Sequence, residues 1–180
     1  MTEQEFLGEA GVPPKYQKAR LKDHPEKLNL DGSYYFFSPN PGTGKTHLAW
    51  AFMNEKLLQQ GTFIPAYKFT TFGKLQLRLR SAIKTEIETE EEILRELSNA
   101  RLLILDDVGG MRPNESSDYS LSILFEILNA RYSWERQTII TSNQSIGDLS
   151  KTFDERIASR IVGMAQIIKL DGTDRRVDGI

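Results

Sequence analysis

Four aromatic residues, Tyr34-Tyr35-Phe36-Phe37, run into Ser38-Pro39-Asn40-Pro41-Gly42-Thr43-Gly44-Lys45-Thr46-His47. Beyond that turn, Leu48, Ala49, Phe52, Met53 and Leu57 recur at helical spacing. A strand-like run, a turn rich in glycine and proline, and a helix opening on Gly-Lys-Thr leave few folds open to the chain. Gly42 and Gly44 let the backbone turn its N–H groups inward around a polyphosphate, and the helix that begins near Lys45 adds its positive end. Lys45 can reach the β- and γ-phosphates, and the Thr46 hydroxyl can ligate Mg²⁺. The stretch Pro41 to His47 is therefore the candidate nucleotide-binding loop. Pro39 stands where the usual pattern has its first glycine; it stiffens the turn and leaves the cradle of residues 42–46 in place.

The rest of the chain alternates strand and helix signals. The helix over 44–60 stops at Gly61, a residue suited to a C-terminal cap. Residues 63–69 read as a strand, and Pro65 inside it argues for an edge or strand-start position. Leu75, Leu77 and Leu79 alternate as a strand would, while Leu75, Leu79, Ala82 and Ile83 fit a helix; length favours the helix. Thr89-x-x-Glu92 is a capping box for a short helix carrying Ile93, Leu94 and Leu97. Leu102-Leu103-Ile104-Leu105 is continuous enough to be a strand buried on both faces. A helix follows with Leu121, Leu124, Phe125 and Leu128, then a strand over 138–143, a helix over 153–161 and a last strand over 165–170. This order predicts an α/β fold of three layers, a parallel sheet with helices on both faces. Residues 1–33 read as an N-terminal segment and residues 34–180 as the core. The Val12–Tyr16 part of that segment either packs as a tether or lines the nucleotide base.

Parallel sheets gather chemistry at the carboxyl ends of their strands. Asp106 and Asp107 end the buried strand; beside the P-loop, Asp106 would belong to the Mg²⁺ shell and Asp107 would orient or activate water. Asn143 ends the next strand and could bond the γ-phosphate or the attacking water. Arg156 and Arg160 share a helix face, from which one of them could stabilise charge at a neighbouring subunit's nucleotide.

Net charge is −2, so nucleic-acid contact would need a local patch rather than bulk charge. The chain has no cysteine, which excludes disulfides and cysteine-ligated zinc and fits a cytoplasmic protein. No apolar run is long enough for a membrane span.

The chain resembles the AAA+ ATPases of the bacterial and phage helicase-loader group, DnaC/DnaI-like and close to the IstB transposition helpers. The resemblance rests on Pro41 to Ala49, Leu102 to Gly109, Asn129-Ala130-Arg131-Tyr132, Thr138 to Asn143, Arg156-x-x-x-Arg160 and Gly172-Thr173-Asp174-Arg175-Arg176. Gly11-Val12-Pro13-Pro14-Lys15-Tyr16 also looks like the family's approach to its ATPase core. The resemblance implies a five-stranded parallel sheet of order 5-1-4-3-2, with too little chain after the last strand for a C-terminal lid domain. It implies ATP and Mg²⁺ as cofactors, Asn143 as sensor 1, Arg160 as the arginine finger and Arg176 as a second sensor on the nucleotide. It further implies single-stranded DNA and a hexameric replicative helicase as partners. Asp107 stands where most of the family has Glu, so slow hydrolysis is expected.

Lys68, Phe69, Phe72, Lys74, Arg78, Arg80 and Lys84 form the strongest basic-aromatic cluster. Cations with one or two stacking rings hold single strands without reading sequence; alternatively, these phenylalanines belong to the core and the cations to solvent. Three functions stay open: helicase loading, an IstB-like helper acting on duplex DNA with a transposase, and a nucleotide-dependent assembly regulator that hydrolyses little.

Overall fold

Alternating side chains along the strands decide which helices cover which face. The computed structural model describes residues 2–24, 27–61, 66–84, 87–110 and 118–171. Its strands are β1 (Tyr34–Phe37), β2 (Tyr67–Thr71), β3 (Leu102–Asp106), β4 (Gln137–Ser142) and β5 (Gln166–Lys169). They form one parallel sheet in the order β2-β3-β4-β1-β5, the expected 5-1-4-3-2 counted from the other edge.

Tyr34, Phe36, Leu102, Ile104 and Ile139 point to one face, where α2 (Lys45–Gln60), α1 (Glu3–Glu9) and the N-terminal segment cover them. Tyr35, Leu103, Leu105 and Ile140 point to the other. There they meet α3 (Phe72–Lys84), α4 (Glu90–Asn99), α5 (Asp118–Ser133), α6 (Ile146–Thr152) and α7 (Glu155–Met164). All of β3 is buried, so each of its leucines and its isoleucine contributes roughly 1.5–3 kcal/mol.

Local signals act as read. Gly61 closes α2 at φ 66°. Thr89 and Glu92 exchange capping bonds at the start of α4. Residues 72–84 are helical: Phe72, Leu75 and Leu79 are buried, whereas Leu77 is 63% exposed and belongs to neither face of the core. The edge strand covers Tyr67–Thr71, and the Phe63 to Pro65 part of the expected strand lies outside the described residues. The helix expected over 153–161 is α7, and a separate α6 precedes it. Ser145 caps α6 and Asp154 caps α7, both through side-chain acceptors, and Phe153 is the joint between them.

The N-terminal segment packs on α2. Asn54 donates to the carbonyls of Tyr16 (2.7 Å) and Ala19 (3.0 Å), fixing the short turn Pro14–Tyr16. At the other end of the sheet, Arg131 of α5 is completely buried. It donates to the carbonyls of Leu97, Ser98 and Ala100 at the end of α4, and to Gln137 O and Thr138 Oγ1 of β4. Burial, with Arg136 adding repulsion, pulls its pKa down to about 9, so the guanidinium is still charged at neutral pH. Among the described residues no helix is long and apolar enough to cross a membrane.

Candidate functional site

The sheet register brings the chemistry together. Phe37 pairs with Ser142 and Thr71 with Asp106, so β1, β2, β3 and β4 end side by side. A cavity of about 850 Å³ opens there. It is lined by Pro41, Gly42, Thr43, Gly44, Lys45, Thr46, His47, Asp106, Asp107 and Asn143, all singled out from sequence. Lys15, Tyr16, Pro39, Thr71, Gly73 and Thr141 complete the lining.

Gly42 (φ 71°) and Gly44 (φ 91°) take the left-handed conformation that the loop needs. Lys45 Nζ reaches back to Ser38 O (3.2 Å), Asn40 O (3.0 Å) and Thr43 Oγ1 (3.5 Å), bracing the loop it belongs to. Thr46 Oγ1 donates to both oxygens of Asp106, at 3.0 and 3.1 Å. A hydroxyl and a carboxylate converging on one point form a hard-oxygen pair that suits Mg²⁺, which binds through one or two protein oxygens together with phosphate. Among the described residues no group of three or more His, Cys, Asp or Glu could hold a metal without such help.

Thr141 is the residue that sequence reasoning gave no role. Its hydroxyl donates to Asp106 Oδ1 (2.6 Å) and accepts from the Asp107 N–H (2.9 Å). One side chain thereby holds the Asp106 carboxylate and the Asp107 backbone, and the signal for it in the sequence is a polar residue inside a buried strand. Asp107 itself is exposed, lines the cavity and is held at φ 60°, in the left-handed region. Gly110 lies against that carboxyl, and a Cβ at position 110 would collide with it.

Burial pushes the Asp106 carboxyl above the usual carboxylate range; Asp107 adds to the rise, and the bonds from Thr141 and Thr46 and the charge of Lys45 oppose it. A carboxyl whose pKa rises on folding costs stability where it is ionised, above its raised pKa, and not in acid. Asp106→Asn is therefore expected to raise the melting temperature of the nucleotide-free protein at neutral pH. The same change is expected to remove the gain that Mg-ATP gives the wild type. Thermal unfolding at pH 7 with and without Mg-ATP measures both, and a lower nucleotide-free melting temperature would count against a penalised carboxylate.

Tyr16, which lines the cavity, opens a row of aromatic rings. Tyr16 stacks on Trp50 at 5.8 Å, and Trp50 stacks on Phe69 at 3.9 Å. His47 Nδ1 lies 3.3 Å from His24 Nε2, tying the N-terminal segment to the P-loop helix.

Other residues singled out from sequence lie elsewhere. Arg156 and Arg160 are on α7 and line no part of this cavity; Arg160 Nε donates to Asn129 Oδ1 at 2.7 Å. Arg176 lies outside the described residues. The structure corrects the expectation that Phe72 offers a stacking ring: it is wholly buried, edge-on to Phe153 at 5.2 Å. Phe69 is taken up by Trp50. Lys68 pairs with Glu96, and Arg78 pairs with Glu88 and Glu96, which raise its pKa. Lys74, Arg80 and Lys84 are exposed.

A sequence model of the IstB-like ATP binding protein family matches residues 36–178. The replicative helicase loader DnaC of Escherichia coli (strain K12) is 28% identical over 143 residues, 79% of this chain and 56% of that protein. A putative ATP-binding protein of insertion sequence IS21 from Pseudomonas aeruginosa is 32% identical over 123 residues, 68% of this chain and 42% of that protein. The chain thus spans about half the length of these relatives. A crystal structure of the DnaC helicase loader superposes with a TM-score of 0.71 at 25% identity, covering 88% of this chain and all of that one.

Proposed function

Because the chain belongs to the IstB-like ATP-binding protein family, we propose that it is a slow cytoplasmic ATPase. Its role in this reading is to bind single-stranded DNA and help load a hexameric replicative helicase. The observation that carries the ATPase part is the linked set Thr46–Asp106–Thr141–Asp107 at the mouth of the P-loop. Lys45 and the loop N–H groups hold the phosphates. Thr46 and Asp106 would hold Mg²⁺, which when bound neutralises phosphate charge. Asp107 orients the attacking water, Asn143 bonds the γ-phosphate or that water, and Arg160 acts on the nucleotide of a second copy. The helicase as partner rests on the similarity to the replicative helicase loader DnaC. Lys74, Arg80 and Lys84 are the exposed cations available to a strand.

The test measures phosphate release, and anisotropy of a labelled oligothymidine with and without an ATP analogue. ATP-dependent single-strand binding that weakens steeply with salt, and capture of the hexameric helicase, are expected. Preference for duplex DNA and a transposase would favour the second reading, a transposition helper, for which the 32% identity to the IS21 protein speaks. Nucleotide binding with neither DNA nor turnover would leave an assembly regulator.

Tyr16 supplies a separate check on the base pocket. Stacking of a base on an aromatic side chain contributes about 1–3 kcal/mol, so Tyr16→Ala is expected to weaken ATP binding by about tenfold. In a Trp134→Phe background, Trp50 is the remaining tryptophan, and its emission reports the titration. Unchanged affinity would remove Tyr16 from the base site.

A further inference from the structure

We propose that Asn129, with Phe125 and Tyr132, is a cradle that positions Arg160 toward the nucleotide of a second copy of this chain. The inference rests on the reading above that Arg160 acts between copies. Phe125, Asn129 and Tyr132 stand at i, i+4 and i+7 on α5, so they share one face, and that face meets α7. Arg160 Nε donates to Asn129 Oδ1 at 2.7 Å, while its guanidinium lies 5.3 Å from the Tyr132 ring and 5.8 Å from the Phe125 ring. The terminal nitrogens of Arg160 make no hydrogen bond or ion pair among the described residues.

This differs from the arginine one turn earlier. Arg156 also lies over Phe125, at 4.9 Å, but it is paired with Asp154 through Nε (3.3 Å) and Nη2 (2.9 Å). Asp154 is in turn the cap of α7, so that pair belongs to the helix end. A phosphate-binding guanidinium needs its fork free and its charge intact. Arg160 meets both conditions: an amide oxygen takes Nε, two ring faces hold the plane, and no described carboxylate neutralises it. An aspartate at 129 would hold the same nitrogen and cancel the charge. The role assigned to Asn129 and Tyr132 also accounts for two members of the Asn-x-Arg-Tyr motif, whose third member, Arg131, faces inward as a structural group.

Three single variants, Asn129→Ala, Asn129→Asp and Arg160→Ala, separate the possibilities. The readouts are ATP-dependent self-association by sedimentation velocity, phosphate release, and ATP affinity of the dilute protein. Loss of a positioning bond to a charged group is expected to lower release per site by about tenfold or more in both Asn129 variants. ATP affinity at dilution should stay at the wild-type level. Mixing Asn129→Ala with Lys45→Ala is expected to raise release above the sum of the two, because the second copy brings an intact cradle to the first copy's intact P-loop. Asn129→Asp is nearly isosteric and keeps the comparison available if Asn129→Ala folds poorly. Wild-type behaviour of both Asn129 variants, with loss in Arg160→Ala, overturns the cradle alone. Loss of ATP affinity at dilution without recovery on mixing overturns it too, since Asn129 would then be merely structural. Absence of ATP-dependent association in the wild type, or a wild-type Arg160→Ala, overturns the reading beneath it.

Discussion

Lys45→Ala is expected to abolish ATP turnover and to leave ATP binding barely measurable. Two losses coincide in that one substitution. In the proposed function the ammonium group is the cation that meets phosphate charge, and removing one preorganised charged contact of this kind costs about 10²–10³-fold in rate. The same nitrogen also bonds Ser38 O and Asn40 O, so the loop loses its internal brace as well. Lys45→Arg separates the two effects. It keeps the charge, but a planar fork cannot reproduce the bonds of a compact ammonium to two carbonyls and a phosphate. Its affinity is expected to fall between those of alanine and wild type. Titration with a fluorescent ATP analogue and a phosphate-release assay measure the two effects, and an unchanged nucleotide-free melting curve shows that the fold survives. Wild-type affinity in Lys45→Ala would place the phosphates elsewhere.

Arg131→Met is expected to destabilise the fold more than any change in the nucleotide site. Replacing a buried charge by an apolar side chain can be neutral when its partners are replaced with it. Here the partners are backbone carbonyls of Leu97, Ser98, Ala100 and Gln137, which stay behind. Each buried acceptor left without a donor costs about 1–3 kcal/mol. A loss of roughly 4 kcal/mol lowers the melting temperature by about 10 °C in a chain of this size. Arg131→Lys is expected to recover only part of that, because three donors on one nitrogen cannot reach acceptors on both α4 and β4. Urea unfolding at low temperature measures both variants even where the melting transition is too low to follow. A shift of only a degree or two would show that water or a local rearrangement satisfies these carbonyls.

Arg131 and Arg160 mark where the sequence stops being legible. Both were visible as residues of motifs, and the difference in their roles was not. Arg131 bonds groups 31 to 34 positions away at the end of α4, and Arg160 bonds a residue 31 positions away on α5. No local pattern encodes such separations. The cluster at Lys68 to Lys84 divides for the same reason: Phe72 meets Phe153 and Arg78 meets Glu88 and Glu96, whereas Lys74, Arg80 and Lys84 stay exposed.

What the sequence determined by itself is what a few neighbouring residues can decide. Gly42, Gly44, Lys45 and Thr46 determine a phosphate loop, because glycine conformation and a helix start are local. Thr89 with Glu92, and Gly61, determine helix ends by bonds within one turn. The apolar run Leu102 to Leu105 determines a strand buried on both faces. The tertiary structure decided everything that needs two distant segments at once. Parallel pairing put Leu105 of β3 opposite Ile140 of β4, and that register brings the Thr141 hydroxyl between the Asp106 carboxylate and the Asp107 backbone N–H. The physical reason is range: backbone preference and capping act over one helical turn or less, whereas the site is assembled by side chains that the sheet brings within hydrogen-bonding distance.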